Sequence, residues 1–334
     1  MNKAITIALS AVAMTQARSL RGLTEAAPLR INTAYYMRSD EGAGKDFAEL
    51  RKLGINGVNV PFYNPAELVN GKVVGWKDSG AVVDDELVGL VKKWQTALGS
   101  EPGVFMLSYG GVTLDSDLWG TAFADPAKFG TATAKMLKDL QKKAGVTSLK
   151  IGIDLDLEEV DDKDGEILSK GMGAFLAALH ADCPRSQCPV QVDVLSLFWK
   201  DWNPEWQRSM VQNNGPKTAS GFDYLGLMVG ADAASGQTMM NYWGGDDAGK
   251  FGAWPAALND AVPLNARVVN FWGAGAMDGK PQTDKFATAP DTLFTWIKTN
   301  KVNAAWWVWN PTETKGGSEA GYNNMMALKT GAGF

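Results

Sequence analysis

Ser148-Leu149-Lys150-Ile151-Gly152-Ile153-Asp154-Leu155-Asp156-Leu157-Glu158 is the stretch on which the reading of this chain turns. An apolar run opens it and three acids close it. Side chains alternate across a strand. Ile153, Leu155 and Leu157 therefore take one face, and Asp154, Asp156 and Glu158 take the other. Three acids on one face repel each other, and they lose hydration if buried. The apolar face argues against an exposed strand, so the acids point to chemistry at a strand end. A cation site is the weaker alternative. Hard cations take oxygen ligands from all around, and three acids on one strand cannot surround an ion.

Outward from this stretch, strand-like runs recur at residues 31–37, 55–61, 104–109, 149–156, 190–197, 224–229, 267–271 and 304–309. Segments with helical spacing lie between them, at 45–53, 84–98, 126–143, 165–180, 204–213, 255–262 and 290–299, with a last one at 324–329. Asp84-Asp85-Glu86 suits a helix N-terminus, and Pro126 suits a first turn. Strands alternating with helices imply parallel pairing. Eight such units predict an α/β fold, a single-domain (β/α)8 TIM barrel. An open doubly wound sheet would carry a Gly-rich loop after its first strand. Here that position reads Tyr35-Tyr36-Met37-Arg38-Ser39-Asp40. In a barrel, sites form where strands end, which places Glu158 at the mouth with Asp156 and Asp154 deeper. Asp156 and Glu158 lie about 6.6 Å apart along the strand. Their repulsion raises at least one pKa, which suits a general acid.

The chain has 334 residues, 45% hydrophobic and 21% charged, enough for one large core. Its net charge of -5 comes without a basic cluster, which excludes a nucleic-acid partner. Thirteen Trp is high and fits either a large core or stacking surfaces for flat ligands. Residues 1–17 read as a signal peptide: a positive start, a short apolar centre and a small-residue exit. A short extension over 18–28 and a barrel domain over 29–334 follow. The expectation is a secreted, extracellular monomer with no membrane partner, no cofactor and no metal. Cys183 and Cys188 flank Pro184-Arg185-Ser186-Gln187 and predict one local disulfide. His180 sits in a helical pattern and reads as structural or surface. Arg18-Ser19-Leu20-Arg21 resembles the R-x-L-R translocation motif of oomycete effectors; a short disordered basic start is the preferred reading.

Gly152-Ile153-Asp154-Leu155-Asp156-Leu157-Glu158 resembles the D-G-x-D-x-D-x-E signature of glycoside hydrolase family 18, the chitinases and endo-N-acetylglucosaminidases. Leu107-Ser108-Tyr109-Gly110-Gly111 resembles the family's S-x-G-G motif, and Ala305-Trp306-Trp307-Val308-Trp309 resembles its eighth strand. The resemblance implies hydrolysis of β-1,4-linked N-acetylglucosamine, in chitin or its oligosaccharides, with retention. Glu158 would protonate the glycosidic oxygen while the substrate's own acetamido carbonyl attacks the anomeric carbon. Asp156 would orient the acetamido N–H, Asp154 would share a proton or hydrogen bond with Asp156, and Trp309 would stack under the sugar. Two positions depart from the pattern. Ile151 replaces the first Asp, and Gly230 stands where the sixth strand would carry a tyrosine two residues after Met228. Tyr242 is the candidate replacement. The departure keeps a second reading open, a chitinase-like sugar-binding protein or secreted effector with little or no turnover.

Trp199 and Trp272 directly follow strand ends and are the preferred groove aromatics, with Tyr36 also a candidate. For any one aromatic, core packing is the competing reading. Tyr35, Tyr63, Trp119, Trp202, Trp243 and Trp307 belong to the same pool, and Trp306 is assigned to the helix layer. Gly110-Gly111 either leaves room beneath the carboxylates or makes a tight turn. Arg267 and Asn270 are possible polar contacts on the seventh strand.

Overall fold

A computed structural model describes residues 28–36, 47–70, 83, 85–111, 117–158, 160–195, 205–229, 261–271, 276–277, 280–281 and 297–307. Its centre is a closed parallel barrel. The strands are β1 (Asn32–Tyr35), β2 (Gly57–Tyr63), β3 (Val104–Gly110), β4 (Lys150–Leu157), β5 (Val190–Leu195), β6 (Tyr224–Val229), β7 (Arg267–Phe271) and β8 (Asn303–Trp307). Each pairs with the next, and β8 closes on β1 with Asn32 opposite Ala304. The (β/α)8 expectation holds for this single domain.

The helices are α1 (Phe47–Lys52), α2 (Pro65–Leu68), α3 (Asp85–Leu98), α4 (Asp117–Phe123), α5 (Pro126–Ala144), α6 (Asp162–Asp182) and α7 (Glu205–Asn214). The sequence reading missed α2 and α4, extra helices that share a crossover with α3 and α5 respectively. Helix α5 shows why its residues form a helix. Asp125 caps the start by accepting from Lys128 N at 3.0 Å, and Pro126 fits the first turn. Gly145, at φ 67°, ends the helix in the left-handed region that favours glycine. Its stripe of Phe129, Thr133, Met136, Leu137, Leu140 and Ala144 is buried. Phe129 packs on Phe175 of α6 with ring centroids 4.7 Å apart. Gly130 lets the two helices approach, because a Cβ there would overlap the Phe175 carbonyl.

Two layers of buried side chains result. Ile151, Ile153, Leu155, Leu157 and Trp306 join the layer between strands and helices. The barrel interior holds a smaller apolar group, with Tyr35, Met106, Tyr224, Val268 and Ala305. Cys183 and Cys188 are joined by a disulfide at the end of α6, as expected. His180 is partly buried, its Nδ1 3.1 Å from the Cys183 carbonyl. Among the described residues no helix is long and apolar enough to cross a membrane.

Candidate active site

Alternation along β4 carries the acids inward. Asp154 and Asp156 are fully buried, and Glu158, just past the strand end, is partly buried. All three lie on the interior face, opposite the leucines and isoleucines of the helix layer.

Asp154 Oδ2 is the hub of a hydrogen-bonded cluster. It accepts from Ser108 Oγ at 2.7 Å and from Asn59 Nδ2 at 3.4 Å, and it lies 2.7 Å from the Tyr35 hydroxyl oxygen. These groups come from β3, β2 and β1, so four strands meet at one oxygen. Asp156 contrasts with it. Neither of its carboxyl oxygens has a hydrogen-bond partner among the described residues, although both are buried. A carboxyl left so is costly unless it is protonated or meets an incoming donor. No hydrogen bond joins Asp154 to Asp156; Asp154 Oδ1 is also unpartnered among the described residues.

Electrostatics follow from this placement. Burial first, then the charge of Glu158, then Asp154 and Asp193, hold Asp156 well above the usual carboxylate range. Burial and the charge of Asp193 push Asp154 up as well, against its bonds from Tyr35, Ser108 and Asn59. Burial raises Asp193 to about 6, against bonds from Tyr35, Gln191 and Asn270. Tyr35 is raised too, by burial and then by Asp154, Asp193 and Asp156. Buried carboxyls whose pKa values are raised together are the kind of cluster in which a proton can be held or passed on.

Of the residues expected from sequence, Asp154, Asp156 and Glu158 come together at the barrel mouth. Tyr36 does not join them. Tyr35 takes the inward position, so alternation turns Tyr36 into the helix layer, 3% exposed, with its ring 4.8 Å from Phe47. Tyr63 and Trp119 are also core residues, against Tyr109 and Phe123 respectively. Trp199, Tyr242, Trp272 and Trp309, together with Gly230, lie outside the described residues, and of Met228 only the backbone is described. Gly110 and Gly111 have φ 112° and 89°, so the turn requires glycine, and Gly111 N bonds the Asp156 carbonyl at 3.0 Å. Arg267 bonds the Val262 carbonyl at the other end of the barrel. Asn270 belongs to the cluster, 2.9 Å from Asp193 Oδ2.

Asn59, Gln191 and Asp193 were missed. The signal was present in Val190-Gln191-Val192-Asp193-Val194, which alternates apolar and polar as β4 does. Among the described residues no group of three or more His, Cys, Asp or Glu is arranged to hold a metal ion.

Solved structures share this architecture. A family 18 chitinase from Pseudoalteromonas aurantia superposes with a TM-score of 0.56 at 14% identity, covering 90% of this chain and 99% of that one. The chain shares the fold of the family 18 chitinases. A fungal endo-β-N-acetylglucosaminidase of family 18 matches with a TM-score of 0.55 at 12% identity, over 89% of this chain and 97% of that one. A chitinase-like agglutinin from Robinia pseudoacacia matches with a TM-score of 0.51 at 10% identity, over 89% and 99%. No protein-family model matches the sequence, and no curated protein matches it.

Proposed function

We propose that this protein is a secreted glycoside hydrolase of the family 18 type, acting on β-1,4-linked N-acetylglucosamine in chitin or its oligosaccharides. The observation that carries the reading is Asp156: a fully buried carboxyl, without a hydrogen-bond partner among the described residues, beside Glu158 at the strand end. An amide donor arriving with the substrate would fill that need. The 2-acetamido N–H is such a donor.

In the mechanism, Glu158 gives its proton to the glycosidic oxygen as the bond breaks. The acetamido carbonyl of the same sugar attacks the anomeric carbon, and Asp156 holds that group in line. Water then opens the cyclic intermediate, with Glu158 taking the proton, so configuration is retained. By the sequence resemblance Trp309 is the stacking floor, and Trp199, Trp272 and Tyr242 are the candidates for further sugar contacts. Residues 1–17 direct export.

The test is incubation of the purified protein with chitohexaose. Shorter oligomers are expected from the wild type, and bound but uncleaved hexamer from Glu158→Gln. Wild-type turnover by Glu158→Gln would remove Glu158 as the acid. A second reading, a sugar-binding protein without turnover, is favoured by Gly230 in the tyrosine position. It would show binding without products in the wild type as well.

A further inference from the structure

Asp193 is as buried as Asp154 and Asp156, and it stands opposite Asp156 in the β4–β5 register. The hydrolytic reading gives it no role. Its surroundings are unlike those of the other two acids. Gln191 Nε2 lies 3.0 Å from Oδ1 and 2.9 Å from Oδ2, and Asn270 Nδ2 lies 2.9 Å from Oδ2. Amide N–H groups only donate, so Asp193 meets them as an acceptor, the role of an ionised carboxylate. The next strand leaves space for it. A Cβ on Gly226 would overlap Asp193 Oδ1.

The Tyr35 hydroxyl reaches Asp193 Oδ2 and also Asp154 Oδ2, the latter at 2.7 Å. A phenol carries one proton. It donates to one of these carboxyl oxygens. The other then faces it oxygen to oxygen, unless that carboxyl brings a proton of its own. Three oxygens in two short contacts therefore call for two protons, one phenolic and one carboxylic.

We propose that Asp193 and Asp154 share that carboxylic proton across the Tyr35 hydroxyl, with Asp193 as a positioning residue that takes the phenol's hydrogen bond and leaves Asp154 as the protonated partner beneath Asp156. A neutral Asp154 spares Asp156 a second negative neighbour while Asp156 holds the acetamido N–H. This use in turnover rests on the hydrolase reading, whereas the sharing itself stands on the geometry. The titratable groups facing Asp193 among the described residues are Tyr35 from β1 and Asp154 and Asp156 from β4; Asn270 and Gln191 are neutral. The directions agree with the geometry. Burial raises Asp193 to about 6 against hydrogen bonds from Tyr35, Gln191 and Asn270, whereas burial and then the Asp193 charge hold Asp154 well above the usual range.

The test is a pH titration of aspartate carboxyl carbons by NMR, on the full chain labelled at those carbons. In the wild type the Asp193 carbon is expected to titrate near pH 6, and the proposal requires the Asp154 carbon to titrate above it. In Asp193→Asn the Asp154 midpoint moves to lower pH, because its negative neighbour has gone. In Tyr35→Phe the Asp193 midpoint rises, because a hydrogen bond to its charged form is lost. An Asp154 carbon that titrates in the ordinary carboxylate range in the wild type overturns the proposal, and needs no variant to fold. So does an Asp154 midpoint unmoved in Asp193→Asn. Chitohexaose cleavage is measured on the same samples. In an active protein, Asp193→Asn moves the acidic limb of the kcat/KM profile to lower pH, which lost folding alone would not do. Coupled titration without cleavage overturns the hydrolase reading alone. Cleavage without coupled titration overturns the sharing alone.

Discussion

Asp223 and Asp156 are the same residue type, both buried, at opposite ends of one barrel. Asp223 lies just before β6, at the rim where strands begin. Arg185 Nε donates to its Oδ1 at 2.7 Å and Val190 N to its Oδ2 at 2.8 Å. Arg185 is presented by the loop that the Cys183–Cys188 disulfide closes, and its other nitrogens bond the Thr218 and Phe222 carbonyls. Asp156, at the other end, has neither oxygen satisfied among the described residues. Burial raises both acids, but Arg185 and the Val190 amide pull Asp223 back, whereas every neighbour named for Asp156 pushes it further up. At the lower rim Asp223 has both its oxygens satisfied. The mouth leaves a group wanting a partner, and that deficit is what a ligand can fill.

Substitutions at the two ends should therefore fail differently. The largest effect is expected at the mouth. Glu158→Gln lowers kcat for chitohexaose by about 10²- to 10⁴-fold, the range of general acid catalysis, with the melting temperature nearly unchanged. At the lower rim, Arg185→Ala leaves Asp223 as a buried charge without its cation. It should lose about 3–5 kcal/mol in denaturant unfolding, while turnover per folded molecule stays at the wild-type value. A loss of rate instead of stability there would erase the distinction between the ends. Gly226→Ala pushes a methyl group into the Asp193 carboxylate, and overpacking of this kind costs about 1–3 kcal/mol. Being inside the cluster, it should lower turnover as well, which separates it from Arg185→Ala.

The smallest effect is in pH dependence. A carboxyl raised on folding binds more protons folded than unfolded, so stability falls as pH rises between its two values. For Asp193 that window runs from 3.8 to about 6. Asp154 and Asp156 contribute with the same sign, since burial raises both. Thermal melts of the wild type and Asp193→Asn across this range check the sign. The variant's curve should be flatter between pH 4 and 6. A steeper curve would mean that the charged form of Asp193 stabilises the fold.

The barrel was legible because its signals are periodic. Each strand buries one face against helices, so apolar alternation names the strand, and β4 also declares its acids by the same rule. The short helices α2 and α4 escape because each is an extra helix in a crossover for which strand–helix alternation asks only one: α2 precedes α3 between β2 and β3, and α4 precedes α5 between β3 and β4. In Tyr35-Tyr36 two identical neighbours offer no composition signal, and only the register decides which ring enters the barrel. Asp193 was missed for a different reason. Alternation in residues 190–194 marks Asp193 as inward-facing, but a single acid does not announce a cluster, and its meaning arises only when β1, β4 and β7 bring Tyr35, Asp154 and Asn270 around it.

The need of Asp156 for an amide donor can be measured without any turnover. Calorimetric titration of Glu158→Gln with chitohexaose, beside its fully deacetylated glucosamine hexamer, asks whether the acetamido group is what the mouth takes. The acetylated hexamer should bind at least about tenfold more tightly, a difference of about 1.4 kcal/mol, and Asp156→Ala in the same background should abolish that preference. Equal affinity for the two hexamers, or a preference that survives Asp156→Ala, would contradict the account.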